Sequence, residues 1–412
     1  MEVKPGYKQT EIGVIPTDWE CAAMASIARL ESGHTPSTRE PAYWGGFVPW
    51  VSLHDTDALD GSEIINTAQT ITEEGLNNSS ARLLPKGTVV FSRTATVGKT
   101  TILGREMATS QDFAAYICGP QLHNRFLVYL FRSMRRTWQS LMAGSIHNTI
   151  YMPVFKALRI ALPPLREQRA IAEALSDVDE LLRGLDQLIA KKRDLKQATM
   201  QQLLTGKTRL PGFGCDWKEG ALADLGQFIK GRGITKDQAR GGTLPCVRYG
   251  ELYTHHNDII RNYHSWISPD VASSAVLLKT GDVLFAGSGE TKEEIGKCAA
   301  FVHDIKAYAG GDIVILRPRE ANAIFLGYFL NTASINRQKA SRGQGDAVVH
   351  ISKNALSVIE FPIPDVDEQN AVAEVLIDMD AEIAALERRR EKTRALKQAM
   401  MQELLTGKTR LL

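Results

Sequence analysis

The feature that most constrains this chain is a long stretch that occurs twice. The run EQRAIAEALSDVDELL…LKQATMQQLLTGKTRL fills residues 167–210, and EQNAVAEVLIDMDAEI…LKQAMMQELLTGKTRL fills 368–411. The offset is 368 − 167 = 201 at one end and 411 − 210 = 201 at the other, so no gap interrupts the repeat. About half of the aligned positions are identical, well beyond what shared helical composition gives. Two long copies predict a pseudo-two-fold object rather than a solenoid.

Each copy reads as one long helix. Ile171, Leu175, Val178, Leu182, Leu185 and Ile189 fall at alternating steps of four and three, and Val372, Leu376, Met379, Ile383 and Leu386 hold the same places in the second copy. That spacing draws the narrow apolar seam of a coiled coil. Charges such as Arg183, Asp186, Lys191, Arg388 and Glu391 lie between seam positions, as on a solvated face. Pro163-Pro164 and Pro364 precede the helices, Glu167 and Glu368 suit the first turn, and Gly206 and Gly407 mark the ends. About 38 residues at ~1.5 Å each make a rod of roughly 57 Å. A narrow seam needs a partner, and the nearest one is the other copy; the alternative is separate docking of each helix on a globular domain.

The globular parts repeat more distantly. VPWVSLHDTD (48–57) matches LPCVRYGELY (244–253), and LLPKGTVVFSRTATVGKTTI (83–102) matches LLKTGDVLFAGSGETKEEIGKCA (277–299). GSIHNTIYMPVFKALRIALP (144–163) matches GDAVVHISKNALSVIEFPIP (345–364). The shared Lys-x-Gly-x-Val-x-Phe pieces predict a turn and a strand, and FLVYLFRSM and FLGYFLNTA predict helices. Each half is therefore a mixed α/β domain followed by its long helix. Pro211-Gly212-Phe213 follows the first GKTRL, while Pro5-Gly6-Tyr7 opens the sequence and GKTRLL closes it. This cyclic order predicts that the two ends lie near each other and that the long helices run antiparallel.

Composition excludes several classes. No apolar run approaches the ~20 residues of a membrane span, and MEVKPGYKQTEIG is too polar for a signal peptide. Five cysteines, odd in number and without CxxC spacing, predict reduced thiols in a cytoplasmic protein without zinc or a disulfide framework. His255-His256 reads as a loop pair. TVGKTT (96–101) lacks a Walker A loop, because Arg93 stands where the first glycine belongs; Gln201 and Gln402 spoil the two TGKTR pieces likewise. Pro269-Asp270 with Glu290-Thr291-Lys292 fits the loose pattern of a PD-ExK-like, metal-dependent nuclease. The first half, however, has Arg93-Thr94-Ala95 in the corresponding loop. The only Pro-Pro, in Leu162-Pro163-Pro164-Leu165, lacks the flanking residues of a DNA methyltransferase loop.

Recognition remains. The net charge is only +2, but no acidic residue falls between Asp112 and Glu167, a stretch that carries Arg125, Arg132, Arg135, Arg136, Lys156, Arg159 and Arg166. Arg337, Lys339 and Arg342 are similarly unopposed in 321–345. Such faces suit phosphate contact, or they merely solvate a helix; charge alone leaves both readings open. Candidate base- and phosphate-contacting residues in the first half are Arg93, Thr94, Lys99, Gln111, Ser145, His147, Asn148 and Thr149. In the second half they are Lys230, Arg232, Arg248, Tyr249, Ser288, Glu290, Lys292, Arg342 and Gln344. Arg suits guanine, Asn or Gln adenine, and Ser or Thr either base or backbone. One frame with different loop contents predicts two readers of two different short sequences.

With these residues in view, the chain resembles the DNA-specificity subunit of type I restriction–modification systems. GYKQTEIGVIPTDWE, LPPLREQRAIAEAL, VVFSRTATVGKT, SQDFAAY, GSIHNTIYMP and the doubled LKQ…LLTGKTRL carry the resemblance over essentially the whole length. It implies two α/β target-recognition domains, 1–161 and 211–362, related by a pseudo-two-fold. Two long antiparallel coiled-coil helices, 162–210 and 363–412, would join them. Each domain would read one half of an asymmetric bipartite site in double-stranded DNA, and the helices would set the spacer. Two methyltransferase subunits carrying S-adenosylmethionine would dock on the helices, and two restriction subunits would supply ATP/Mg²⁺-driven translocation and cleavage. The chain itself would hold no catalytic residue, cofactor or metal.

Overall fold

The computed structural model describes residues 3–142 and 148–411. The predicted periodicity is realised as two helices of 39 residues each, Leu165–Leu203 and Val366–Leu404. Contacts divide the chain into two compact units, Met1–Asp186 with Arg388–Leu412, and Gln187–Glu387. Each unit therefore holds one globular body, the first half of that body's own long helix, and the second half of the other helix.

Within the first unit the helix segments run antiparallel: Glu167 pairs with Arg410, Asp179 with Lys397, and Asp186 with Arg390. In the second unit Glu368 pairs with Arg209, Asp380 with Lys196, and Glu387 with Arg193. The predicted seam lies inward. Ile171, Leu175, Leu185, Ile189, Val372, Leu376 and Ile383 are buried, while Val178, Leu182, Met379 and Leu386 are half-buried. The charged residues named between them are exposed.

The globular body of the first unit is built on a five-stranded sheet ordered Ala28–Ser32, Phe113–Cys118, Val89–Ser92, Thr100–Leu103, Glu63–Ile64. A smaller sheet places Trp44–Val51 between Ala108–Thr109 and Gln69–Ile71. The second unit repeats the plan with Gly226–Lys230, Ile313–Pro318, Val283–Ala286, Cys298–Phe301 and Ile259–Ile260. Its smaller sheet holds Ser265–Ile267, Leu244–Val247, Tyr308–Ala309 and Val276–Leu277. The two Lys-x-Gly turns are as predicted: Gly87 and Gly281 take φ of +88° and +93°, and the buried strands Val89–Ser92 and Val283–Ala286 follow. The predicted helices are Asn124–Ser133 and Ala323–Phe329.

Each globular core is closed by the end of the other repeat's helix. Leu404 and Leu405 join Trp19, Phe91, Tyr116, Phe131, Ile171 and Leu175 in one cluster. Leu203 and Leu204 join Phe285, Tyr328, Phe361, Val372 and Leu376 in its counterpart. A fully buried leucine contributes ~1.5–3 kcal/mol, so each Leu-Leu pair adds several kcal/mol. The following glycine makes the close approach possible. Gly407 has φ of +70°, and a Cβ there would lie 2.5 Å from Cγ of Pro16.

Beyond the glycine, the guanidinium of Arg410 donates to Glu167 at 2.6 and 2.8 Å and to Asp18 at 2.8 and 2.6 Å. Trp19 Nε1 donates to the same Glu167 carboxylate at 2.9 Å. Arg209, Glu368 and Trp217 repeat this arrangement, with the indole donating at 3.2 Å. Tyr7 donates its hydroxyl proton to the Gly407 carbonyl at 3.0 Å, so the two ends meet as the cyclic order predicts. The repeated LLTGKTR is thus a docking sequence, and its glycine and arginine have separate structural reasons.

Candidate nucleic-acid interface

In the first unit, the loop after strand Val89–Ser92 gathers three separated segments at one end of the large sheet. The backbone N–H of Arg93 donates to Asp112 O, its Nε donates to Gln111 O at 2.8 Å, and its Nη1 donates to Ile150 O at 3.3 Å. Ile150 N returns a bond to Arg93 O. Loops 93–99, 110–112 and 148–150 are thereby tied together, and Arg93 is their clasp. Gln111 is exposed and accepts from the Thr35 hydroxyl at 2.6 Å. Asn148 is exposed with φ of +48°, Thr94 is half-buried, and the buried Thr149 hydroxyl lies 3.5 Å from that of Thr94. Ser145 and His147 lie outside the described residues.

Several cations that look free in sequence are committed. Lys99 Nζ is 2.9 Å from Asp60 and 3.7 Å from Asp57, and it donates to Thr56 O at 3.1 Å. The Asp60 contact holds its pKa above the usual lysine value despite partial desolvation. Arg132 spends its guanidinium on the carbonyls of Leu59, Asp60, Gly61 and Thr100. Arg125 pairs with Glu63, and Arg159 with Glu11. Among the described residues, Arg135, Arg136, Lys156 and Arg166 are exposed and form no ion pair, so they are the cations available to phosphate. The acid-free stretch is therefore mixed: part clamp and part open face.

In the second unit, the corresponding end of the sheet is assembled by four backbone bonds. Gly231 N donates to Ile313 O, Gly311 N to Gly233 O, Gly310 N to Val247 O, and Gly287 N to Asp312 O. These bring Lys230 and Arg232, Arg248 and Tyr249, and the loop 287–297 to one edge. Lys230, Arg232, Tyr249, Glu290 and Lys292 are exposed there. Arg248 is half-buried at the start of helix Tyr249–Thr254.

Three other candidates face inward or are already occupied. Ser288 is 2% exposed and shares a hydrogen bond of 2.9 Å with His350 Nδ1. Arg342 donates to the carbonyls of Gln338 and Val358. Gln344 is tied to His350 by two backbone bonds, although its side chain is exposed. Lys339, grouped in sequence with the open basic residues, is fully buried. A helical lysine has the same letter on either face; only the packing of helix Ala333–Arg342 decides which.

Sequence reasoning missed residues 33–37 of the first unit. They follow the edge strand Ala28–Ser32 as Gly231 and Arg232 follow Gly226–Lys230, and Thr35 reaches Gln111. The available signal was the match of SGHTPS to KGRGIT after each edge strand. The nuclease pattern gains no geometry. Asp270 lies in the first turn of helix Pro269–Ser274 and Glu290 in the loop 287–297. No three His, Cys, Asp or Glu among the described residues gather where they could hold a metal. His255 does lie in a loop, its ring stacked on His264 with centroids 4.0 Å apart. No helix among the described residues is long and apolar enough to cross a membrane.

Comparison with known proteins converges on one group. Residues 16–191 and 215–394 each match the family model described as the type I restriction modification DNA specificity domain. The type I restriction enzyme MjaIX specificity subunit of Methanocaldococcus jannaschii is 32% identical over 178 residues, covering 43% of this chain and 41% of that protein. The chain thus matches less than half the length of that relative. The MjaVIII specificity subunit of the same organism is 23% identical over 422 residues, covering 96% and 94%. Among solved structures, the HsdS subunit from Thermoanaerobacter tengcongensis aligns with a TM-score of 0.55 at 20% identity, covering 96% of this chain and 98% of that one. The type I S subunit from M. genitalium aligns with a TM-score of 0.57 at 15% identity, covering 98% of each. At these identities the structural matches speak for the fold.

Proposed function

The chain belongs to the type I restriction modification DNA specificity family, and from that premise we propose that it is the non-catalytic, sequence-reading subunit of a methyltransferase and endonuclease complex. Each recognition domain reads one half of an asymmetric bipartite site in double-stranded DNA. The long helices set the unread spacer and offer equivalent docking faces to two methyltransferase subunits, which bring S-adenosylmethionine. Two restriction subunits add ATP- and Mg²⁺-dependent translocation and cleavage. The complex works in the cytoplasm.

One observation carries this reading. The same end of the same sheet is built twice, once from Arg93, Thr94, Gln111 and Asn148, and once from Lys230, Arg232, Arg248, Tyr249, Glu290 and Lys292. A shared frame with different polar contents suits two readers with different targets. Exposed cations such as Arg135, Arg136 and Arg232 would position each domain on phosphates, with affinity falling steeply as salt rises. Exposed Gln, Asn and Glu side chains would discriminate base edges. Arg93 serves this scheme chiefly as the clasp of its three loops.

The test is to map N6-methyladenine genome-wide in cells that carry this chain with its neighbouring methyltransferase subunit, and in a deletion of this chain. Loss of methylation at one bipartite asymmetric motif is the expected result. Unchanged methylation, with the methyltransferase shown to be active, would overturn the proposal.

A further inference from the structure

Lys339 is fully buried on helix Ala333–Arg342, and among the described residues no carboxylate lies within ion-pair distance of it. Its Nζ donates to the Gly296 carbonyl at 2.8 Å. A Cβ on Gly296 would lie 2.9 Å from Lys339 Cδ, so the stem packs directly beneath that glycine. Gly296 ends the loop that carries Glu290, Lys292, Glu293 and Glu294, all exposed at the candidate interface.

The first unit shows what this niche needs for folding alone. Val97-Gly98-Lys99 aligns with Ile295-Gly296-Lys297, and under the two glycines helix Arg135–Met142 places Trp138 where helix Ala333–Arg342 places Lys339. Trp138 is buried beneath Gly98, where a Cβ would meet its Cδ1 at 3.5 Å. A neutral aromatic thus fills the place that a lysine fills in the sister domain. Burying a charge without a counter-charge is unfavourable, and the fold does not require it here. The loops above also differ. The first holds Arg93 and Lys99 and no acid, whereas the second sets three glutamates against Lys292 and Lys297.

We propose that Lys339 is a positioning residue for base reading by the second recognition domain. Its ammonium fixes the Gly296 carbonyl and places positive charge beneath the acidic loop, so that the loop's carboxylates can accept from base amino groups close to the DNA backbone. Glutamate accepting from the cytosine amino group is the pairing this chemistry favours. The inference rests on the DNA-reading function proposed above and assigns it a residue that never touches DNA.

Burial pushes the Lys339 pKa down to about 8. Cys298, whose own burial raises its thiol to about 12, stays neutral where Lys339 titrates. The other charged or titratable groups on the surrounding elements are the acidic loop's three glutamates with Lys292 and Lys297, His350, Asp258, Lys353 of helix Lys353–Ser357, and Arg337 and Arg342 of its own helix. The sign of the effect separates positioning from structure. Between about pH 8 and the ordinary lysine value near 10.4 the unfolded chain binds more protons, so this group makes the fold more stable as pH rises. The positioning charge is lost around that folded value, between about pH 7 and pH 9.

The experiment uses the full chain with its methyltransferase subunit and duplexes bearing the mapped bipartite site with either half scrambled. From pH 7 to pH 9, wild type should lose tenfold or more of its discrimination at one half-site and keep it at the other. Lys339→Met should show the same selective loss already at pH 7 with a flat pH profile. Its urea midpoint should be unchanged or higher, because an unpaired buried charge has gone. Full discrimination in Lys339→Met, or a flat wild-type profile, overturns the proposal; so does loss at both half-sites together with a lower urea midpoint. Absence of discrimination at either half-site in wild type removes the functional reading itself, and this inference with it.

Discussion

Arg410→Ala should open the first unit. Glu167 is almost wholly buried, and Arg410 keeps about a fifth of its side chain exposed. Truncating one partner of a buried pair leaves an unmatched charge and costs ~3–5 kcal/mol. Glu167 would retain the Trp19 indole proton, and water can reach the vacated side, so the lower end, about 3 kcal/mol, applies. Loss of the cation-π contact with Trp19, at 5.6 Å, adds at most ~1 kcal/mol. With an m-value of ~2–3 kcal/mol/M, the urea midpoint of the first unit should fall by about 1–1.5 M, read by the fluorescence of its tryptophans Trp19, Trp44, Trp50 and Trp138 against a Trp217→Phe, Trp266→Phe background. Glu167→Gln and the double variant complete a cycle, in which the coupling should exceed ~1.5 kcal/mol. A midpoint shift below ~0.3 M, or strict additivity, would refute the claim that this pair latches the helix end.

Four further outcomes follow from the geometry. Gly407→Ala should destabilise the first unit by ~2 kcal/mol or more in thermal melts, since its φ is +70° and its Cβ would strike Pro16. Arg135→Ala with Arg136→Ala should lower the salt slope of DNA binding by about 2, whereas Lys99→Ala should leave it nearly unchanged, because Asp57 and Asp60 already hold that ammonium. Burial, helped by the neighbouring His264 and His255, lowers the His256 pKa to about 4. The folded state therefore disfavours the proton: its stability is intact above pH 6.5 and should fall by roughly 2–3 kcal/mol as pH drops towards 4, and His256→Gln should flatten that limb of a pH-dependent urea series. Arg209→Ala should reproduce the Arg410 effect in the second unit, read as a fall in that unit's urea midpoint.

The parts legible in sequence were those set by local patterns. The 3-4 spacing, the prolines and glycines around the long helices, and the Lys-x-Gly turns each depend on neighbours a few residues away, and each appears where expected. The cyclic order of Pro-Gly-aromatic and GKTRL placed the two ends together because repetition supplies a long-range relation that a single copy cannot. The fate of individual cations was not legible. Lys99, Arg132 and Lys339 are ordinary basic letters until residues 56–61 fold against the first two and Gly296 against the third. Ser288 misled for the same reason, since its partner is 62 residues away.

The closing of each core by the other repeat's helix has a consequence for the order of events on the ribosome. The second unit is completed by Leu203 and Leu204, which emerge before its globular body. The first needs Leu404, Leu405 and Arg410, which emerge only after the whole of the second unit has been made. Its nascent apolar face around Trp19, Ile171 and Leu175 must therefore wait, shielded by chaperones or by loose self-contact, through most of translation. A message cut short after Glu387 but before Leu404 would yield a finished second unit and an unsealed first one.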